Sequence, residues 1–158
     1  MRVQDFLPFL LVIALSGCNV SISTTPPEKL PSPTFGTTAQ QAEAFEAAKA
    51  IVKALDRGAF DQVWEQSSET LKDSTFEAVF TKLMSATRGK LGQPAPRGAP
   101  RIGFSKKIDA DLPDGDYSIV EVDTNFSGKV VTEKLVLTRE SGRWKLAGYF
   151  MRTSASSG

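Results

Sequence analysis

Two arginines and two tyrosines are the side chains of this sequence best suited to binding a ligand. Arg88 and Arg97 flank a glycine- and proline-rich stretch, and Tyr117 and Tyr149 stand in segments that alternate between apolar and polar residues. A guanidinium captures a carboxylate or phosphate through two parallel hydrogen bonds, which makes both arginines candidates for ligand binding. A buried arginine can equally bind loop carbonyls or an inner carboxylate, and we favour that structural role.

Proton transfer is the alternative chemistry that the sequence offers. Tyr117, Tyr149, Glu121 and Asp123 are of the right types, and catalysis would need a carboxylate of raised pKa beside a tyrosine hydroxyl. Alternating polar residues on a strand more often mark the solvated face of a sheet. We therefore predict no catalytic residue, and an enzyme is the second choice.

The residue inventory excludes several kinds of site. The chain has no histidine and one cysteine, so zinc sites of the usual Cys/His kind and Ser-His-Asp or Cys-His nucleophilic sites are excluded. The acidic run DADLPDGD (109–116) fails the register of a calcium loop, because a proline stands where the third acidic ligand should be. The formal net charge of +1 argues against nucleic acid as the main partner. No metal or other cofactor is predicted.

The single cysteine, Cys18, is predicted to carry a lipid. The apolar run FLPFLLVIAL (6–15) has the length of a signal-peptide core and falls short of the roughly 20 residues that span a bilayer. It is followed by LSGC (15–18), which resembles the lipobox of bacterial lipoproteins, where the cysteine thiol receives diacylglycerol and the chain is cut just before it. The resemblance implies acylation of Cys18 and attachment to a lipid bilayer.

Composition and pattern divide the chain into four segments. Residues 1–17 are predicted to be the lipoprotein signal peptide, 18–37 a disordered tether rich in Pro, Ser and Thr, 38–152 the folded domain and 153–158 a disordered tail. The expected location is the bacterial cell envelope, lipid-anchored and facing the periplasm. Asn19 after the cysteine favours the outer membrane if the host is Gram-negative.

Three amphipathic helices are predicted in the first half of the domain. Capping boxes at Thr38 and Gln41 and at Ser74 and Glu77 begin the first and third, and a short helix at 61–66 lies between them. Residues at three- and four-residue steps are expected to face the core: Ala42, Phe45, Ala48, Val52 and Leu55; Phe60, Val63 and Trp64; Phe76, Val79, Phe80, Leu83, Met84 and Thr87.

Four strands are predicted in the second half, joined by short turns. They are RIGFSKKI (101–108), DYSIVEVDTNF (116–126), KVVTEKLVLTR (129–139) and RWKLAGYFMR (143–152). In the last strand, simple alternation places Trp144, Leu146, Gly148 and Phe150 on one face and Tyr149 on the other. Short links join antiparallel neighbours, so the predicted fold class is α+β, with N-terminal helices packed on a curved, cone-like, four-stranded meander.

Four stretches together resemble a bacterial envelope family known as the domain of unknown function 4019. They are DRGAFDQVWEQSS (56–68), RGKLGQPAPR (88–97), LPDGDYSIVEVDTNF (112–126) and GRWKLAGYFMR (142–152). That family is similar in turn to the nuclear transport factor two-like, or cystatin-like, cone, and no activity comes with the resemblance. We expect a non-catalytic module that binds an envelope protein or a small ligand. A cone-pocket enzyme and a structural envelope component are the alternatives.

Overall fold

The computed structural model describes residues 29–153. The predicted signal peptide, Cys18 and most of the predicted tether lie outside the described residues, as do residues 154–158 of the predicted tail. Among the helices of the described part, none has the length and apolar character needed to cross a membrane.

Helices come first along the chain and strands second, as the change of hydrophobic period predicts. The helices are α1 (Thr38–Asp56), α2 (Phe60–Glu65), α3 (Glu69–Ser74) and α4 (Glu77–Thr87), followed by a 3₁₀ turn (Arg88–Lys90). The strands are β1 (Arg101–Ser105), β2 (Tyr117–Phe126), β3 (Lys129–Glu140) and β4 (Arg143–Thr153). They form one antiparallel sheet in the order β1-β2-β3-β4, which confirms the predicted α+β class.

Helix α1 packs its apolar face on the sheet and begins one residue earlier than predicted. The capping box is formed by Thr37 and Gln40, because the Thr37 hydroxyl accepts from the Gln40 amide and the Gln40 side chain accepts from the Thr37 amide. Ala42, predicted to face inward, is exposed. The apolar core between the helices and the sheet includes Val52, Leu55, Val63, Trp64, Phe80, Met84, Val120, Leu135, Leu137 and Leu146.

The structure has a short helix, α3, that the sequence did not predict, and the predicted capping box at Ser74 and Glu77 is wrong. Ser74 ends α3, where its hydroxyl donates to the Leu71 carbonyl. Helix α4 then starts after Phe76 with no side-chain cap. Serine competes well for a nearby backbone carbonyl, and here that bond closes the preceding turn rather than opening a new helix.

A bulge in β4 overturns the simple alternation predicted for that strand. Leu146 pairs with Leu137 and Gly148 pairs with Val136, so Ala147 is an extra residue. A bulge shifts the side-chain parity of the strand beyond it. Tyr149 therefore shares the inner face with Leu146, while Phe150, predicted to point inward, is 57% exposed.

Part of the predicted tether is in contact with the domain. Thr34 forms two backbone hydrogen bonds of 2.8 Å with Phe104 of β1, one in each direction. Pro33 lies against Gly103, and Gly36 lies against the Phe104 ring. We call residues 33–36 the strap; it adds a single antiparallel bridge to the β1 edge of the sheet.

Candidate functional site

Three of the four candidate ligand-binding side chains meet at one place, where they contact two carboxylates that were not among the candidates. Arg88 and Arg97 both bind Asp56 and Glu133, and Tyr149 binds Glu133 and Arg88. We call these five residues the ion-pair cluster. Its two positive and two negative charges balance.

Each member of the ion-pair cluster comes from a different part of the fold. Asp56 is the last residue of α1 and Arg88 opens the 3₁₀ turn after α4, while Glu133 and Tyr149 face inward from β3 and β4. Arg97 stands in the irregular connection before β1. A carboxylate at a helix C-terminus is disfavoured by the helix dipole, so the position of Asp56 is explained by the two guanidinium groups beside it.

Glu133 lies at the centre of the ion-pair cluster and is fully buried. Its Oε1 accepts from Arg88 and from the Tyr149 hydroxyl, at 2.6 Å for the latter. Its Oε2 accepts from Arg97 Nε at 2.9 Å and from the Thr124 hydroxyl at 2.5 Å. Four donors occupy the four lone-pair positions of a carboxylate, which leaves none for a substrate.

Asp56 binds the outer side of the same two arginines. Arg97 approaches it end-on, with Nη1 2.9 Å from Oδ2 and Nη2 2.9 Å from Oδ1, and Arg88 Nη2 also donates to Oδ1. This bidentate geometry is the arrangement that arginine makes with a bound anion. Here the anion is part of the chain. Asp56 and Glu133 are both inner carboxylates of the kind expected if the two arginines have a structural role.

The Arg88 guanidinium is enclosed on its remaining sides by aromatic rings. Its central carbon lies 5.1 Å from the Phe126 ring centroid and 5.7 Å from that of Tyr149. Only 3% of the Arg88 side chain is exposed, and its Nε has no hydrogen-bond partner among the described residues. Water is excluded around Arg88, which strengthens its attraction to both carboxylates.

The pKa values of Asp56, Glu133 and Tyr149 shift in the directions that favour the observed pairing. Burial alone would raise the pKa of Asp56 and of Glu133, but the charges and hydrogen bonds of the two arginines and their neighbours hold both below the ordinary value. Burial and the Glu133 charge raise the pKa of Tyr149 well above its usual range. The carboxylates therefore stay ionised and the phenol stays protonated near neutral pH.

Tyr117, the fourth candidate, lies elsewhere. It occupies the start of β2 on the face of the sheet that points away from the helices. Its hydroxyl donates to the Pro113 carbonyl at 2.8 Å. Thr124, beside the ion-pair cluster, lies seven positions further along β2, roughly 23 Å along a strand. Glu121 and Asp123 share its face and bind Arg101, so the sheet does not bring them to Tyr149.

One sequence signal could have found Glu133. In KVVTEKLVL (129–137), Val131, Leu135 and Leu137 share one parity and point into the core, and Glu133 has the same parity. A carboxylate in an otherwise inward apolar row must find cationic partners. Asp56 gave a weaker signal, since an acidic residue at a helix end is usually solvated.

A second candidate surface lies on α4, where the structure contradicts the predicted burial. Phe76, Val79 and Leu83 are 79%, 53% and 54% exposed, whereas Phe80 and Met84 of the same apolar face are buried against the core. Spacings of three and four residues place the exposed side chains in one row. We call Phe76, Val79 and Leu83 the α4 stripe. The apolar face of α4 is wider than the surface that the fold covers.

Metal binding finds no support in residues 29–153. No group of three or more acidic or cysteine side chains there is arranged to hold a metal ion. The acidic segment 109–116 instead pairs with neighbouring lysines, through contacts of Asp114 with Lys107 and of Asp116 with Lys106.

The fold and its buried charges define a small α+β domain built around a closed ion-pair cluster. Residues 47–149 match the family model described as "Protein of unknown function (DUF4019)", which covers more than half of the chain. The chain belongs to this family. No curated protein and no solved structure matches it. The match begins within α1 and ends at Tyr149, so it includes every member of the ion-pair cluster.

Proposed function

We propose that the chain is a lipid-anchored protein of the bacterial cell envelope that acts as a non-catalytic, protein-binding module. The observation that carries the binding role is the α4 stripe, an apolar row that no described residue covers. Acylation of Cys18 and a periplasm-facing location belong to the proposal and rest on the resemblance of residues 15–18 to a lipobox. The order of helices and meander is also the order expected of the cystatin-like cone, which we propose for this domain.

The state of the ion-pair cluster supports the non-catalytic part. Glu133 and Tyr149 form the carboxylate and tyrosine pair that proton-transfer chemistry would use, at 2.6 Å. General acid–base catalysis works best with a pKa near the working pH, whereas the pKa of Glu133 is lowered and that of Tyr149 is raised. Every acceptor position of Glu133 is also occupied, so the cluster is a structural joint rather than a reaction site.

The size and pattern of the α4 stripe indicate the kind of partner. Aromatic side chains bury about 150–250 Å² when covered, so three partly exposed apolar residues offer roughly 300–400 Å². That is well below the roughly 800 Å² per partner of a standard interface, so the stripe alone suits a small, readily reversible contact with any partner. The spacing of 76, 79 and 83 suits the groove between side-chain rows of another helix. We therefore propose an amphipathic helix of an envelope protein as the occupant.

Site-specific crosslinking in intact cells tests the contact. A photoreactive side chain at position 79 should give one adduct, and the same group at Ser85, exposed on the other side of α4, should not. Leu83→Asp should abolish the adduct, whereas Lys82→Asp, at an exposed neighbour outside the stripe, should preserve it. Melting curves must show that all variants fold.

Three results would overturn the proposed partner. An adduct that survives Leu83→Asp would not depend on the stripe, an adduct between two copies of this chain would make the face a dimer contact, and an adduct with lipid alone would make it a membrane contact. Complete loss of the cellular role in a well-folded Tyr149→Phe variant would favour the enzyme instead.

The lipid anchor has a separate test. Cells fed a fatty-acid analogue should label the wild-type chain and should not label Cys18→Ala. Label on the Cys18→Ala variant, or no label on the wild type, would remove the anchor from the proposal and leave the α4 contact to be judged by crosslinking.

A further inference from the structure

The strap covers only part of the exposed edge of the sheet. Strand β1 pairs with β2 on one side, and its other side is open to a further strand. Thr34 takes up both outward backbone groups of Phe104. At Gly36 the backbone turns away, with a φ of +66°, and Thr37 then caps α1. The strap therefore leaves the edge immediately after one bridge.

The next outward position on this edge is Ile102. In an antiparallel pair the backbone groups of successive residues point alternately to either side, so Ile102 presents its N–H and C=O on the same side as Phe104. Within residues 29–153 no backbone or side-chain group pairs with them on that side. A groove of 640 Å³ runs beside this part of the edge, lined by residues that include Phe35, Pro100, Ile119 and Lys134.

The strap is held by few interactions. Besides the two backbone bonds between Thr34 and Phe104, the Thr34 hydroxyl lies 3.5 Å from the Phe104 carbonyl oxygen, and the Gln41 side chain donates to the Phe35 carbonyl at 2.9 Å. The Phe35 side chain is 82% exposed and contributes little to burial. A segment with so few buried contacts opens locally far more readily than the core.

We propose that the β1 edge is a strand-addition site for an extended segment of a partner protein, with the strap as its built-in competitor. The fit of the strap defines the chemistry of the occupant: a backbone that pairs with Phe104 and a small or proline side chain against Gly103. An extended partner can also pair with Ile102, so it can make about twice as many backbone bonds as the strap. This surface is separate from the α4 stripe, and the inference does not depend on it.

Glycine substitutions release the strap selectively in the full chain. A β-carbon on Gly36 would lie 2.6 Å from the Phe104 ring, and alanine also disfavours the positive φ. Gly36→Ala should therefore displace the strap. Gly128→Ala is the matched control, because Gly128 has a φ of +89° with no atom within 4 Å of its added β-carbon. Thr34→Pro, which removes the amide that donates to Phe104, is a second route, with Thr34→Ala as its control.

Amide hydrogen exchange reports on the edge directly. In the wild type the Phe104 amide should be protected and the Ile102 amide should exchange quickly. Gly36→Ala and Thr34→Pro should accelerate exchange at Phe104 by about tenfold or more, the factor that corresponds to about 1.4 kcal/mol. Gly128→Ala should leave it unchanged, and Thr34→Ala, which removes only the 3.5 Å contact of the Thr34 hydroxyl, should change it much less than Thr34→Pro. Protection of Ile102 in the wild type, or an unchanged Phe104 amide in both strap variants, would overturn the proposal.

Strand addition is then tested with a probe peptide of residues 29–37 that carries Gly36→Val, so that it can stay extended opposite Ile102. A short linker gives an attached segment an effective concentration in the millimolar range, so the probe is used at about 1 mM. It should restore protection at Phe104 and create it at Ile102 in the Gly36→Ala chain, with a smaller effect on the wild type. A probe that protects neither amide of the released edge, or that acts equally on both chains, would overturn the proposal.

Discussion

The ion-pair cluster and the α4 stripe are opposites in composition and in burial. The cluster holds charged side chains, with Glu133 and Arg88 almost fully buried, while the stripe holds apolar side chains that are at least half exposed. Solvation would favour the reverse of both arrangements. In the cluster the cost of burial is offset within the chain, because every charge has an opposite charge in contact. The stripe has no such compensation among the described residues.

This contrast separates a structural role from a binding role. A buried and neutral cluster that links α1, the 3₁₀ turn after α4, β3 and β4 fixes how the helices sit on the sheet, and each of its charges is bound by an opposite charge of the same chain. An uncovered apolar row costs solvation in the isolated domain, and the contact that we propose for it would remove that cost. Three of the four polar residues that the sequence offered as ligand-binding candidates thus pair within the chain, and the proposed binding surface consists of apolar residues that the sequence assigned to the core.

The largest expected effect is on the ion-pair cluster. Glu133→Gln keeps the size of the side chain but removes one of the two carboxylates that balance the buried charge of Arg88, leaving only Asp56. This should lower the free energy of unfolding by about 3–5 kcal/mol. Glu121→Gln is the matched control on the outer face, where the contact with Arg101 is 3.6 Å and partly solvated; its effect should be below about 1 kcal/mol. Urea unfolding measures both. Equal losses would mean that the cluster contributes no more than a surface pair.

A smaller effect is expected from removing one hydroxyl. Tyr149→Phe deletes a donor to Glu133 and leaves a buried carboxylate position unfilled, so it should cost about 1–3 kcal/mol. Tyr117→Phe removes a bond to a neutral carbonyl, and its cost should lie near the lower end of that range. A greater loss for Tyr117→Phe in the same unfolding assay would place the tighter hydrogen-bond network in the loop rather than in the cluster.

The ion-pair cluster should make the stability of the domain depend on pH, whereas the apolar α4 stripe should not. Asp56 and Glu133 have pKa values lowered from 3.8 and 4.5 in the folded state, so the folded chain binds fewer protons than the unfolded chain in acid. Their contribution is complete above those ordinary values and is lost as the pH falls through the lowered ones. The urea concentration at the midpoint of unfolding should therefore decrease as the pH is lowered from about 6 to about 3. Glu133→Gln should flatten this slope, and an unchanged slope would remove Glu133 from the linkage.

Hydrophobic period predicted the order of helices and strands, because a helix or a strand depends on neighbours along the chain. The ion-pair cluster depends on residues far apart in sequence, such as Asp56 and Glu133, and no local pattern states that they meet. Tyr149 was assigned to the wrong face because one extra residue, Ala147, reverses the alternation. The family resemblance depended on four stretches in the same order, none of which identifies the family by itself, and the family match over residues 47–149 confirmed it.

The α4 stripe shows the limit of periodicity in another way. The pattern of Phe76, Val79, Phe80, Leu83 and Met84 correctly predicts an amphipathic helix, but it does not say how much of an apolar face the rest of the domain will cover. That amount depends on where α2 and the sheet end, since α4 packs mainly on α2. The row beyond that contact stays exposed.

The smallest expected effect tests that exposure within one helix. Phe76→Ala removes a ring that is 79% exposed, so the free energy of unfolding should change by no more than about 0.5 kcal/mol. Phe80→Ala, one turn further along, removes a buried ring that packs on Trp64 with centroids 5.6 Å apart, and it should cost about 3–5 kcal/mol. The two changes remove the same side chain and differ mainly in burial, with Phe76 at the N-cap of α4 and Phe80 in its first turns. A loss above about 2 kcal/mol for Phe76→Ala would mean that the ring is covered in solution and that the α4 stripe is core rather than a binding surface.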